Sequence, residues 1–191
     1  MAVALAAVGV WQAGHGAWIY TKAHLGQFLL QRAWARTLAG EAEVKPWPWA
    51  DTWPVARLRV PAHGIDLIVL DGVSGRTLAW APGHAGGSAP PGTPGTAIIS
   101  GHRDTHFRFL ERLRPGDEIA VDTPARPSAR FQVREVRVVD SRTAMIRRDI
   151  GAATLVLVTC YPFDAMTPGG PLRYVVAAEP ASVTARRISS Q

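Results

Sequence analysis

The chain has 191 residues, which is the length of one domain with a short additional segment. Hydrophobic residues make up 47% of it and charged residues 19%, so the chain can build a core and is not of the disordered class. Its single cysteine, Cys160, excludes an intramolecular disulfide and any multi-thiolate metal site. The formal net charge is +6, but the basic residues are scattered among acidic ones, which argues against nucleic acid as a partner.

The chain opens with an apolar run. Residues 1–20 are nearly all apolar, and about 19 such residues just reach the thickness of a bilayer. We therefore expect a membrane span there, with a buried core helix as the alternative. Lys22, Arg32 and Arg36 follow the run, and this charge bias by itself favours a cytoplasmic location for the C-terminal side.

A second helix is predicted after the apolar run. Apolar residues recur at helical spacing over residues 21–38, and we expect the helix to end near Gly40 and either to continue the anchor or to lie at the membrane surface. Alternating prolines and tryptophans then predict a stiff linker over residues 46–52. The helical segment thus covers residues 1–45, and a fragment that starts at the end of the linker is expected to fold alone.

Short strands separated by proline and glycine turns follow the linker. The predicted strands are residues 56–60, 65–70, 96–100, 118–121, 130–140, 153–159 and 172–178. Short helical stretches are expected at residues 77–80 and 106–113. Because no βαβ rhythm is present, the pattern predicts an all-β domain over residues 53–180, a closed barrel or a sandwich, with a tail over residues 181–191.

Two of these strands end in side chains that can react. Cys160 ends one strand, and Pro162 stops the ladder just beyond it, so we expect the thiol at the rim of the sheet. Another strand ends at Ser100, and Gly101 then leads to His102. A thiolate is a nucleophile, and a neighbouring imidazole can take its proton or hold it as an ion pair.

Arg173 is the candidate third member of this site. It follows a glycine-rich loop on a strand expected to pair beside the cysteine strand. Attack on an amide builds negative charge on the carbonyl oxygen, and a fixed donor there contributes on the order of 10²–10³ in rate. Taken singly, Cys160 could be a core residue, His102 structural and Arg173 solvated, but their conjunction favours catalysis. A zinc site is disfavoured because no paired ligand spacing such as His-x-x-x-His is present.

These residues resemble the motifs of sortases. The run Leu-Val-Thr-Cys that ends at Cys160 resembles the TLxTC strand motif, and Ser-Gly-His-Arg around His102 resembles the histidine motif. Arg173 lies where sortases place their arginine. The stretch over residues 160–174 is most similar to the proteobacterial class often called class GN, and the resemblance covers residues 53–180.

The resemblance implies an eight-stranded β-barrel and a transpeptidase that cleaves a C-terminal sorting signal similar to Leu-Pro-x-Thr-Gly between Thr and Gly. Cys160 would form the thioacyl intermediate, His102 would act as acid and then as base, and Arg173 would hold the oxyanion or the substrate backbone. Thr159 and Ser100 are further candidates for substrate binding. The partners implied are a protein that bears the signal and an amine acceptor at the cell surface, and no cofactor is required. The barrel would then lie on the periplasmic side of the inner membrane.

Three alternatives stay open. A cysteine protease would use the same residues but resolve the thioester with water. L,D-transpeptidases also use Cys and His, although their His-Gly-Cys-Arg-like context does not match the residues around Cys160. A non-catalytic, membrane-tethered binding barrel would hold Cys160 as a core residue, and the rate of thiol alkylation separates that reading from catalysis.

Overall fold

The structure is a computed structural model that describes residues 2–146, 151–167 and 169–181. Within them helix α1 (Ala2–Leu38) precedes the strands β1 (Pro54–Val60), β2 (Ile65–Asp71), β3 (Gly83–His84), β4 (Gly95–Ser100), β5 (Glu118–Asp122), β6 (Ala129–Asp140), β7 (Ala153–Cys160) and β8 (Leu172–Pro180). A short helix, α2 (Gly75–Leu78), and two 3₁₀ turns (Pro61–His63 and Arg108–Arg112) connect them. The tail predicted beyond Ala181 lies outside the described residues.

The strands close into a barrel in the order β1-β2-β3-β4-β7-β8-β6-β5. The predicted all-β fold with a closed eight-stranded barrel is confirmed. Strands β4 and β7 lie side by side and run parallel, with Ser100 beside Val158. Strand β8 pairs antiparallel with β7 and sets Arg173 opposite Cys160. The topology therefore brings all three candidate catalytic positions to one end of the barrel.

Every second side chain along a strand points into the barrel, and these side chains fill its interior. Along β1, buried residues alternate with half-buried ones, because successive side chains of a strand point to opposite faces. The largest fully buried side chains of the interior cluster are Phe107, Phe131, Leu58, Ile99, Leu110, Leu113, Ile119, Leu155 and Leu157. Each contributes about 1.5–3 kcal/mol on burial. The middles of the strands and the segment around the 3₁₀ turn Arg108–Arg112 thus supply the core, and the strand ends are left to carry polar groups.

The C-terminal half of α1 packs on the outside of the barrel. Leu30 and Trp34 of the helix are buried together with Ile68 and Leu70 of β2. Val69, between these two strand residues, points instead into the barrel interior. This half of the helix therefore covers an apolar outer face of β2.

Among residues 2–146, 151–167 and 169–181, no helix is both long and apolar enough to cross a membrane. The span expected over residues 1–20 lies within α1 and is not supported by this finding.

The segment expected to be a linker, residues 46–52, packs back on the barrel. The Trp47 ring lies 4.7 Å from the Trp80 ring. Thr52 is 2% exposed and donates its hydroxyl to the Asp71 carbonyl at 2.7 Å. A fragment that begins at Thr52 would lose the cover of α1 and expose the outer face of β2, so we expect it to be less stable than the full chain.

Candidate active site

A tight turn after β4 presents His102. The preceding residue, Gly101, lies against the ring of Phe107, and a Cβ on Gly101 would be 2.8 Å from that ring. The backbone N–H of Phe107 closes the turn by donating to the His102 carbonyl at 2.9 Å. Thr159 donates its hydroxyl to the Gly101 carbonyl at 2.7 Å, which ties the turn to the strand that carries Cys160.

The parallel register of β4 and β7 aligns His102 with the thiol. Ser100 is paired with Val158, two residues before Cys160, and the backbone N–H of Gly101 donates to the Val158 carbonyl at 3.2 Å. Parallel neighbours end at the same edge of a sheet, so both side chains lie at that edge. His102 is exposed and Cys160 is half-buried. Both can therefore meet a substrate.

A cavity of about 330 Å³ lies between these two groups. Its lining residues are His102, Arg103, Asp104, Thr105, Cys160 and Gly169. Neither of the predicted substrate-binding residues lines it: Thr159 is 2% exposed and bonded to the turn, and Ser100 lies within β4. A larger hollow of about 750 Å³ lies at the other end of the barrel around Phe131 and Pro180, away from the thiol.

Arg173 lies directly across from Cys160 on β8. The backbone N–H of Tyr161 donates to the Leu172 carbonyl at 3.1 Å, which makes Cys160 and Arg173 a non-hydrogen-bonded pair. In such pairs the Cα atoms are roughly 4.5 Å apart and the side chains share one face of the sheet. The guanidinium of Arg173 is folded onto its own loop, because Nη1 donates to the carbonyls of Gly170 at 2.7 Å and Leu172 at 2.9 Å.

Asp140 supplies negative charge beside Arg173. Hydrogen bonds from the side chain and backbone of Arg142, and the positive charges of Arg142 and Arg173, lower the pKa of the Asp140 carboxyl to about 2. This carboxylate is therefore ionised at any pH near neutrality, and Arg173 is one of the positive charges that keep it so.

An aromatic cluster anchors the first part of the β7–β8 loop, residues 161–171. The rings of Phe163 and Tyr174 lie 4.9 Å apart, and those of Tyr161 and Tyr174 stack at 6.1 Å. Burial raises the pKa of the Tyr174 hydroxyl, so this side chain stays neutral. The cluster fixes the chain as it leaves Cys160.

Sequence reasoning missed three residues of the cleft. Arg103, Asp104 and Thr105 line the cavity, and Arg103 could have been found as the fourth residue of the Ser-Gly-His-Arg motif. Nearby, the pKa of His106 is lowered chiefly by burial and next by the charge of His102.

Comparisons with known proteins identify the family. The family model described as the sortase domain matches residues 58–181. Sortase D of Bacillus subtilis (strain 168) is 29% identical over 120 residues, which are 62% of this chain and 60% of that protein. The chain thus spans about three fifths of that relative's length.

Solved structures give the same assignment. A sortase D5 transpeptidase from Clostridium perfringens has 26% identity and a TM-score of 0.59, with 68% of this chain and 79% of that chain covered. Sortase C-1 from Actinomyces oris has 25% identity and a TM-score of 0.57, with 67% and 74% covered. On the barrel, the matched residues and these relatives, the chain belongs to the sortase family, whose members are cysteine transpeptidases.

Proposed function

We propose that this chain is a transpeptidase of the class GN type that cleaves a C-terminal sorting signal similar to Leu-Pro-x-Thr-Gly between Thr and Gly. It transfers the acyl part of the signal to an amine at the cell surface. The observation that carries the proposal is the shared cavity, in which the only thiol of the chain and the imidazole of His102 meet at one end of the barrel. Cys160 is the nucleophile, His102 the acid and base, and Arg173 the donor to the oxyanion.

The first half-reaction forms a thioester. The Cys160 thiolate attacks the carbonyl carbon of the signal's Thr, and the electron pair of that carbonyl moves onto oxygen. As the tetrahedral intermediate collapses, the C–N bond breaks and protonated His102 gives its proton to the leaving Gly nitrogen. The second half-reaction reverses these roles: an incoming amine attacks the thioester, His102 takes its proton, and the Cys160 thiolate leaves.

Arg173 suits the oxyanion because of its strand position. It is the cross-strand neighbour of Cys160, and the hydrogen bonds that it makes to described residues both use Nη1. The N–H groups on Nε and Nη2 are therefore left as donors for a developing negative charge. A guanidinium also offers paired, directional donors that an ammonium lacks.

Mass spectrometry tests the reaction. The full chain is incubated with peptides similar to Leu-Pro-x-Thr-Gly and with oligoglycine or lysine as the amine, and both a peptide–amine product and an acyl adduct on Cys160 are expected. Cys160→Ala abolishes both while leaving the fold nearly intact, because a half-buried thiol at a strand end contributes little packing. Product formation by Cys160→Ala contradicts the mechanism, and hydrolysed peptide without amine product favours the cysteine protease.

We further propose that the barrel faces the periplasm, with the N-terminal part of α1 at the inner membrane. The support is the apolar sequence of residues 1–20 and the location that a surface-protein substrate requires. Fusions after Gln191 test the orientation, because alkaline phosphatase is active outside the cytoplasm and green fluorescent protein inside it. Fluorescence without phosphatase activity contradicts this location.

A further inference from the structure

We propose that Arg103 is a positioning residue of the active site. Its guanidinium holds the β7–β8 loop against the His102 turn and so sets the geometry between His102 and Cys160. This inference rests on the proposed function of the same cavity. Arg103 affects turnover through His102 and the β7–β8 loop and does not contact the reacting atoms.

The contacts of Arg103 run across the cleft. The residue directly follows His102, is 9% exposed and lines the cavity together with Cys160. Its Nη2 donates to the carbonyls of Ala165 at 2.8 Å and Thr167 at 3.0 Å. A single nitrogen of Arg103, in the turn that carries His102, thus binds two carbonyls of the loop that follows Cys160.

Arg103 binds the loop at residues 165 and 167, just before two glycines. Beyond them, Arg173 donates to the Gly170 carbonyl and the backbone N–H of Ser141 donates to the Pro171 carbonyl. Gly169 and Gly170 have φ values of 97° and 84°, a region that glycine enters at no steric cost and leaves as easily. Arg103 therefore binds the loop immediately before its two glycines. One of these, Gly169, forms part of the cavity wall.

Arg103 is held at an energetic cost. Its Nη1 is buried and has no hydrogen-bond partner among the described residues. None of the ion pairs formed by described residues includes Arg103. A buried cation without a carboxylate, and with an unpaired nitrogen, destabilises the folded state. An unfavourable arrangement of this kind is expected where a residue serves function and not stability.

Arg108, in the 3₁₀ turn, provides a matched control because it bonds to the same β7–β8 loop. Its Nη1 donates to the Phe163 carbonyl at 3.0 Å, but its side chain is 54% exposed and pairs with Glu111 at 3.3 Å. Phe163 is already fixed by the aromatic cluster. Arg108→Lys removes one arginine bond to a loop that stays anchored at that point, so its effect should be small.

The test compares Arg103→Lys, Arg103→Met and Arg108→Lys in the full chain. Lysine keeps the charge of Arg103 but cannot reproduce the planar fork, so Arg103→Lys and Arg103→Met should each lower kcat about 10- to 100-fold, with KM changed far less. The pH profile of Cys160 alkylation by iodoacetamide should also shift in both Arg103 variants, because the thiol and His102 are no longer held in register. Arg108→Lys should keep kcat within about twofold of wild type, and all three variants should melt close to wild type.

Three results would overturn the inference: wild-type alkylation and turnover in Arg103→Lys, an equal loss in Arg108→Lys, or a loss of activity that tracks the melting temperature. Alkylation needs no peptide, so it decides the question even where no peptide is turned over. Cys160→Ala is assayed in parallel. Product formation by that variant overturns the proposed function, whereas an inactive Cys160→Ala beside a fully active Arg103→Lys overturns only the role of Arg103.

Discussion

Gly101→Ala tests how the His102 turn is built. The added methyl would lie 2.8 Å from Cγ of Phe107 and 3.0 Å from both Cδ atoms, and this ring is fully buried and packs edge-on against Phe109 at 5.8 Å. The φ of Gly101 is not positive, so the backbone itself tolerates alanine and the effect is steric. Overpacking costs about 1–3 kcal/mol, against a gain of about 0.4–1 kcal/mol from a less flexible unfolded chain.

The net loss should therefore be about 1–2 kcal/mol, which lowers the melting temperature by roughly 2–8 °C for a chain of this size. Because His102 follows directly, kcat should fall about tenfold or more. Thermal unfolding and the peptide assay measure the two effects. Gly86→Ala is the control, since nothing lies within 4 Å of its added methyl. Wild-type stability and activity in Gly101→Ala would refute the packing argument for the turn.

Four further variants examine α1, His106 and Arg173. Gly26→Ala places a methyl 2.5 Å from the Trp80 ring and should lower the melting temperature, whereas Gly9→Ala meets nothing within 4 Å and should gain up to about 1 kcal/mol of helix stability; equal effects would mean that α1 is not docked. Burial lowers the pKa of His106, so the unfolded chain binds its proton more readily and stability falls as the pH drops below about 6.5. His106→Gln should flatten this dependence in melting curves between pH 5 and 7, and unchanged slopes would contradict the burial of His106. Arg173→Lys should lower turnover on the order of 10², and near wild-type rates would mean that only its positive field matters.

Strand prediction succeeded where the hydrophobic pattern is long enough to carry a period. Each of the seven predicted strands corresponds to a strand of the barrel, and the missed one, β3, has two residues. Two residues cannot show an alternation, and β3 forms because Gly83 and His84 bridge β2 and β4. Its position depends on tertiary contacts that no local pattern records.

The site could be predicted only in part for the same reason. Sequence placed Cys160 and His102 at strand ends, but their common cavity depends on the parallel register of β4 with β7, two strands far apart in the chain. Arg103 was missed because its role depends on where the carbonyls of Ala165 and Thr167 come to lie after the loop has folded. Thr159 stays a predicted substrate contact; its hydroxyl is buried and bonded to the Gly101 carbonyl, a contact between distant strands that the sequence pattern does not record.

The docking of α1 reaches His106 through Trp80. Gln27 of the helix donates its side-chain amide to the Trp80 carbonyl at 3.0 Å. Burial and the charge of His102 lower the pKa of His106, and the backbone of Trp80 opposes them. Removing α1 would uncover Trp80 and bring water to this carbonyl, so the pKa of His106 should change. A barrel without its helix would therefore report a pH dependence that is not that of the full chain.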